Sequence, residues 1–354
     1  MVRLADVARA AGVSTSTASR ALSRPGMVAE ETRERVARAA DEMGFRLNAT
    51  ARALTTGHTG LVGVIVPTLA NPFFPPIVTG VQQPLTEAGG NVLLGVSDHS
   101  ADRERELVTQ LGSRVDGLVL VAPVSPDATL RSFAERLPVV TVDRTTPGLP
   151  GVVVDTPGGV RKLMAHLLGL GHRRIAYLGG PPGSWMDRQR RKAALESVAD
   201  GGGELTVLDP VPPQFDAGLA AAEHLVRHEA RVTAVMVYSS YVLLGLFVGL
   251  GNAGLRVPED MSLAASDDLT VIGMTRPGST ALHVPLQEAG DAAGRLVREA
   301  PEVGSRPPRV RVTTRLVVRD STAPPKAAGR PVPRPSGPVA ADGRRAPGRP
   351  AGRG

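Results

Sequence analysis

"DVARAAGVSTSTASRAL", residues 6–22, gathers alanines, hydroxyls and arginines with almost no bulk. Its apolar spacing predicts a helix over 4–11 with Leu4, Val7 and Ala8 on one face, broken at Gly12. Ser14 is a good N-cap for a second helix over 15–22, in which Ala18 and Leu22 share a face. "SRPG" makes a loop. A third helix over 30–43 then has acids in its first turn, Val36, Ala40 and Met43 on one side, and Gly44 as its stop. Two helices joined by a tight turn at Gly12 form a helix-turn-helix. Thr15, Ser16, Thr17 and Ser19 offer hydroxyls for phosphates or base edges without bulk, and Arg20 reaches a guanine with a two-pronged hydrogen bond. Such a helix fits the major groove of DNA. An ordinary surface hairpin with a serine cap is the alternative.

The next stretch narrows that choice. "RLNATARALTTGHTG", residues 46–60, is basic, with Leu47 and Leu54 as its only large apolar residues. Asn48 caps a helix of under two turns running to Leu54, too short to be stable alone in water. We expect it to form on DNA against its copy from a second subunit, with Leu54 as an apolar wedge between base steps. The competing reading is a flexible linker with an incidental leucine.

Beyond residue 60 the pattern changes. "LVGVIVP" (61–67) is a continuous apolar run suited to a buried parallel strand. Helical stretches alternate with 91–96, 117–123 and 138–143, and the alternation restarts with 173–180, 204–210, 234–240 and 261–266. The expected fold is an α helix-turn-helix headpiece (1–45), a hinge helix and linker (46–60), and an α/β core of two similar lobes with parallel sheets (61–322). Residues 323–354 are rich in Pro and Arg, with eight prolines and no aromatic residue, and are expected to be disordered. Of the net charge of +7, residues 1–60 carry +3 and residues 323–354 carry +6, which leaves −2 for the body. Basic ends seek a polyanion. There is no cysteine, so disulfides and thiolate metal sites are excluded. The N-terminus lacks an export signal, and the longest apolar run, near 241–251, is too short to span a bilayer. A cytoplasmic location is expected.

"DVARAAGVSTSTASRAL", "TRERVARAADEMGF", "NATARAL" and "GLVGVIVPTLANPFF" together resemble the lac-repressor (LacI/GalR) family of transcriptional regulators, in order and in spacing. The resemblance runs to 316–325 and so covers nearly all of the chain except the tail. It implies that Thr15, Ser16 and Arg20 read bases. It places Ser14, Thr17, Ser19, Ser23 and Thr32 on phosphates, with Arg33 near the backbone, and Asn48, Ala51 and Leu54 in the hinge helix. Ala29 departs from the family's usual Ser or Thr and forfeits an N-cap. The resemblance further implies a homodimer on a near-palindromic operator, with a small-molecule effector, a sugar by default, between the lobes.

For that effector the candidates are Phe74 of "NPFF", Asp143 of "VDR", Trp185, Arg188 or Arg190, Ser239, and Asp267. Each has a plainer reading: core packing for Phe74, a pair with Arg144 for Asp143, a cover for the cleft rim for Trp185, a solvated face for the arginines. Ser239-Ser240 stands where the family commonly has Asn-Asp, which weakens the expectation of a sugar. The seven histidines show no metal-ligand spacing; His224 and His228 read as a solvated helix face. No cofactor is expected. A dinucleotide fingerprint, a P-loop and a credible nucleophile constellation are absent from the sequence, so an enzyme is not expected. A cytoplasmic sugar-binding module without DNA regulation remains the rival reading; it leaves residues 1–60 idle.

Overall fold

The computed structural model describes residues 2–23, 25–45, 57–229, 231–268, 275–299 and 307–326. The headpiece comprises α1 (Leu4–Ala10), α2 (Thr15–Ser23) and α3 (Glu30–Glu42), with a 3-10 turn at Pro25–Met27. Its core is built almost wholly of small side chains: Val7, Ala8, Ala11, Ala18, Ala21, Val36, Ala39 and Ala40 are buried. Leu4, Leu22 and Met43 only cover its edge. Alanine contacts let three short helices approach closely. Gly12 takes a φ of +64° at the turn between α1 and α2, a conformation that strains any residue with a Cβ.

The N-cap of α3, Ala29, makes no side-chain capping bond, as its sequence implies. Ala29→Ser should therefore stabilise the headpiece by about 1 kcal/mol, read as a rise in its melting midpoint. An unchanged midpoint would show that the first turn of α3 is already satisfied by other groups.

The core forms two six-stranded sheets. The first runs, edge to edge, 309–312, 151–154, 139–142, 117–121, 61–66 and 91–96, and the second 315–317, 280–283, 262–265, 234–237, 174–178 and 204–208. In chain order the first lobe begins β1 (Leu61–Val66), α4 (Pro75–Glu87), β2 (Asn91–Val96), α5 (Ala101–Gly112), β3 (Gly117–Val121), α6 (Asp127–Ala134), β4 (Val139–Val142) and β5 (Gly151–Val154). The second lobe holds α7 (Thr156–Gly169), β6 (Arg174–Leu178), α8 (Trp185–Asp200), β7 (Glu204–Leu208), α9 (Phe215–His228), β8 (Ala234–Val237), α10 (Ser240–Asn252), β9 (Ser262–Ala265) and β10 (Thr280–His283). The chain then returns to the first lobe for α11 (Leu286–Arg298) and β11 (Arg309–Val312), and closes on the second with β12 (Arg315–Val317). Among the described residues all strand pairings are parallel except β10 with β12, which is antiparallel. Central strands β3, β4, β8 and β9 are buried along their whole length, while edge strands β2 and β7 are exposed in part.

The lobes share a construction detail. In the first, α4 and α11 touch backbone to backbone: a Cβ on Gly80 would lie 2.1 Å from the Gln287 carbonyl oxygen. In the second, α9 and α10 do the same, with 1.9 Å between a Cβ on Gly245 and the Phe215 carbonyl oxygen.

Among the described residues the chain crosses between lobes three times, and Asp155 ties the first crossing to the third. Its amide donates to Val312 O at 2.7 Å, and its carbonyl accepts from Thr314 Oγ1 at 3.0 Å. Its carboxylate caps α7 through the Gly158 amide (3.0 Å) and pairs with Arg311 (2.8 Å).

Residues 323–326 correct the expectation of disorder from 323 onward. Ala323 donates its amide to Ser262 Oγ (3.0 Å), and its carbonyl lies 2.9 Å from His172 Nε2. Lys326 pairs with Asp260. The buried His172 needs partners for both ring nitrogens, and the start of the tail supplies one of them. The rest of the tail, 327–354, lies outside the described residues, as does the predicted hinge helix with Asn48, Ala51 and Leu54. Among the described residues no helix is long and apolar enough to cross a membrane.

Candidate functional site

Two regions gather the predicted residues. The first is the exposed side of α2. Ala18 and Ala21 anchor its inner face, which turns Thr15, Ser16 and Arg20 outward to solvent. Ser14 Oγ accepts from the Thr17 amide at 3.1 Å and lies 2.8 Å from Thr17 Oγ1, so the predicted cap exists. Ser16 and Arg20 hold each other: Arg20 Nη2 donates to Ser16 Oγ at 3.0 Å and Nε to Ser16 O at 3.3 Å. An exposed pair one turn apart costs little to release. Ser19 and Thr32 are half-buried, Arg33 pairs with Glu30, and Ser23 closes α2.

The second region lies between the lobes. A cavity of about 50 Å³ is lined from the first lobe by Asn71, Phe73, Phe74, His99 and Asp143, and from the second by Arg190, Tyr238 and Asp267. It sits at the C-terminal ends of the strands, where doubly wound sheets bind ligands. The sequence elements meet there for local reasons. Asn71 Oδ1 accepts from the Phe73 amide (3.0 Å), which folds "NPFF" so that the two rings meet edge to face with centroids 5.5 Å apart. Tyr177 donates to Asp187 Oδ1, which also accepts from the Gly180 amide, both at 2.8 Å. That pair of bonds fixes the start of α8, and Arg190 follows one turn later.

Backbone strain is concentrated here. Asp98, His99, Ala122 and Asp143 have φ values of +50°, +56°, +46° and +60°. They are the non-glycine residues in that region among the described ones, and they follow β2, β3 and β4. Such conformations cost about 1–3 kcal/mol each and gather at ligand sites. His99 Nε2, Asp143 Oδ1 and Arg190 Nε are buried without a hydrogen-bond partner. Burial pushes the Asp143 carboxyl up to about 7 despite the charge of Arg190. Burial also raises Asp267, to about 6, against the pull of hydrogen bonds from the Ser240 amide and hydroxyl and the charge of Arg190. His99 is lowered by burial and is therefore neutral.

The structure thus brings Phe74, Asp143, Arg190 and Asp267 to one cavity and separates the rest. Arg188 is exposed and donates to Gly183 O at 3.0 Å, away from the cleft. Trp185 faces a different cavity on the flank of the crossings. Ser239 is fully buried and does not line the cleft; its neighbour Ser240 holds Asp267 instead. Arg144 turns from Asp143 to Asp127 and to the carbonyls of Pro123 and Ser125, which removes the ion pair considered for Asp143. The paired acids divide their work, since Asp268 grips Arg319 of the final segment through both oxygens (2.7 and 3.0 Å). Asn71, His99 and Tyr238 were not singled out from the sequence. His224 and His228 lie on the exposed side of α9 with rings 5.0 Å apart.

Residues 3–48 match the model of "Bacterial regulatory proteins, lacI family", and residues 164–322 match that of a periplasmic binding protein-like domain. The HTH-type transcriptional regulator GalS of Salmonella typhimurium is 30% identical over 302 residues, spanning 84% of this chain and 89% of that protein. A solved structure described as a transcriptional regulator CelR–cellobiose complex has a TM-score of 0.66 at 28% identity, covering 91% of this chain and 100% of that one. The lac repressor dimer bound to operator and the anti-inducer ONPF shares the fold with a TM-score of 0.81 at 24% identity, covering 91% of this chain and 99% of that one. The lacI-family match of the headpiece, the two-lobed α/β core and the similarity to GalS along most of both chains agree, and the chain belongs to the lacI family of DNA-binding transcriptional regulators.

Proposed function

We propose that the protein is a cytoplasmic, homodimeric repressor without enzymatic activity, controlled by a neutral, hydroxyl-rich small molecule, a sugar, in the inter-lobe cleft. The observation that carries the effector reading is the set of unpartnered buried groups, Asp143 Oδ1 and His99 Nε2 on one lobe and Arg190 Nε on the other. Buried polar groups left in this state require a partner. Two carboxylates face one guanidinium and a neutral imidazole, so the lining favours hydrogen-bond donors over an anion. In the CelR complex the bound molecule is cellobiose, a ligand of this kind. A cavity of about 50 Å³ is far below the roughly 300 Å³ of an ordinary ligand site, so binding must change the angle between the lobes. Asp155 and the crossings around it are where that rotation is absorbed.

On the DNA side, two headpieces read a near-palindromic operator, because two-fold protein symmetry demands a two-fold site. Thr15, Ser16 and Arg20 contact bases; Ser14, Thr17, Ser19, Ser23 and Thr32 contact phosphates. Residues 46–60 form the hinge, whose Asn48–Leu54 helices meet on the duplex and place Leu54 in the minor groove. An effector acts by preferring one lobe angle and hence one hinge state.

Selection of binding sites from random DNA, with and without a panel of mono- and disaccharides, tests the whole reading. A two-fold consensus whose occupancy changes with one sugar is expected; loss of any preferred sequence would overturn it. In the same assay Arg20→Ala should relax preference at one base pair per half-site by ~1–3 kcal/mol and leave the other positions unchanged. An unaltered profile would remove Arg20 from base reading.

A further inference from the structure

Trp185 is the chain's one tryptophan, and the effector cleft does not use it. It borders instead a cavity of about 310 Å³ between the lobes, on the flank where the chain crosses. Gln189, one turn along α8, belongs to the second lobe. Arg309 and Arg311 lie on β11, the edge strand of the first lobe's sheet, Asp155 caps the crossing helix α7, and Arg161 lies in its second turn. Three guanidinium groups and one carboxylate leave a formal charge of +2. Asp155 is already committed to Arg311 and to the Gly158 amide. Among the described residues Arg309 makes one long bond, 3.4 Å, to Thr146 O. Arg161 is exposed at the mouth.

We propose that this cavity is a second ligand site, for an organic dianion of nucleoside-monophosphate size that carries a phosphate and a planar ring. The arginines offer paired N–H groups in the geometry that suits a phosphate. The half-buried indole offers a face on which a base stacks. The volume matches the lower end of small-molecule sites, which the effector cleft does not.

The site is placed to report on the cleft. Met186, 2% exposed, lines both cavities and forms the wall between them. A ligand that ties β11 to the start of α8 bridges the two lobes and stabilises one angle between them. By linkage it must then alter affinity in the cleft by the same factor as the effector alters its own.

Titration of the full chain with adenosine 5′-monophosphate, followed by Trp185 fluorescence, tests this. A saturable quench is expected. The variant with both Arg161→Gln and Arg309→Gln should weaken it roughly tenfold or more. Inorganic phosphate should compete without quenching. Should the double variant fail to fold by circular dichroism, Arg309→Gln alone, on an exposed edge strand, serves instead. Asp143→Asn alters the effector cleft but should leave the nucleotide midpoint within about twofold, so the two sites fail separately. No saturable change at millimolar nucleotide overturns the proposal. So does an unchanged midpoint in the arginine variants, or loss of the signal in Asp143→Asn, which would put the nucleotide in the cleft.

Discussion

Arg190→Ala should weaken effector binding by roughly 100-fold, about 3 kcal/mol, while DNA binding without effector stays intact. Arg190 is 8% exposed, lines the cleft from α8, and is the cation that opposes both Asp143 and Asp267. Its loss removes a charge-assisted donor from the ligand. The two carboxyls left behind already sit at about 7 and about 6, and without the arginine both shift further up, toward the protonated form. Protonation softens the cost to the fold, so the affinity loss should exceed the loss of stability. Calorimetric titration of the effector beside thermal melts separates the two. Arg188→Ala is the matched control: its side chain is exposed and reaches only Gly183 O, so it should change neither quantity. If Arg188→Ala does the damage and Arg190→Ala does not, the helix phase assigned to α8 is wrong for the bound state.

That phase was partly legible. Met186, Arg190, Ala193 and Ala194 recur at spacings of three and four, the buried stripe of a helix, and Arg188 falls off it. The headpiece helices were readable from the same one-sided stripe. The eight anticipated strands were readable from continuous apolar runs, which burial on both faces leaves uninterrupted in the central ones. The four strands not anticipated are β5, β10, β11 and β12. They are three or four residues long, and β11 reads RVRV, with arginines facing solvent on an edge. Those strands lie at or next to the crossings, so the part of the fold that joins the lobes was the part hidden from periodicity. His99 was hidden differently. It enters the cleft through two successive positive-φ residues, Asp98 and His99, a backbone choice that no side-chain pattern announces. Ser240 shows a third case. The sequence offered two adjacent serines, and only the start of α10 decides which one meets Asp267.

Asp143→Asn should stabilise the effector-free protein at pH 8 by up to about 4 kcal/mol and weaken the effector in the same step. An unperturbed aspartate ionises near 3.8, whereas in the folded cleft Asp143 keeps its proton to about 7. Below 3.8 folded and unfolded chains are both protonated and the residue contributes no pH dependence. Between 3.8 and 7 the unfolded chain binds fewer protons than the folded one, so stability falls as pH rises. Above 7 the loss is complete and constant. Asparagine carries no charge to desolvate, so the gain should vanish near pH 4 and grow to its full size above 7. Asp267, raised to about 6, has the same sign and leaves a smaller slope in the variant. Effector binding should run the other way. Hydroxyl donors favour the ionised carboxylate, so wild-type affinity rises toward pH 7 and binding below that pH releases a proton. Calorimetry in buffers of different ionisation heats detects that proton, and the Asn variant should lose it. A wild-type stability that rises between pH 4 and 7 after the other titrations are subtracted, or a variant that binds effector as tightly as its parent, would show that the buried carboxylate is structural. The expected opposite signs instead make the cleft a place where the fold gives up stability that only a donor-bearing ligand restores.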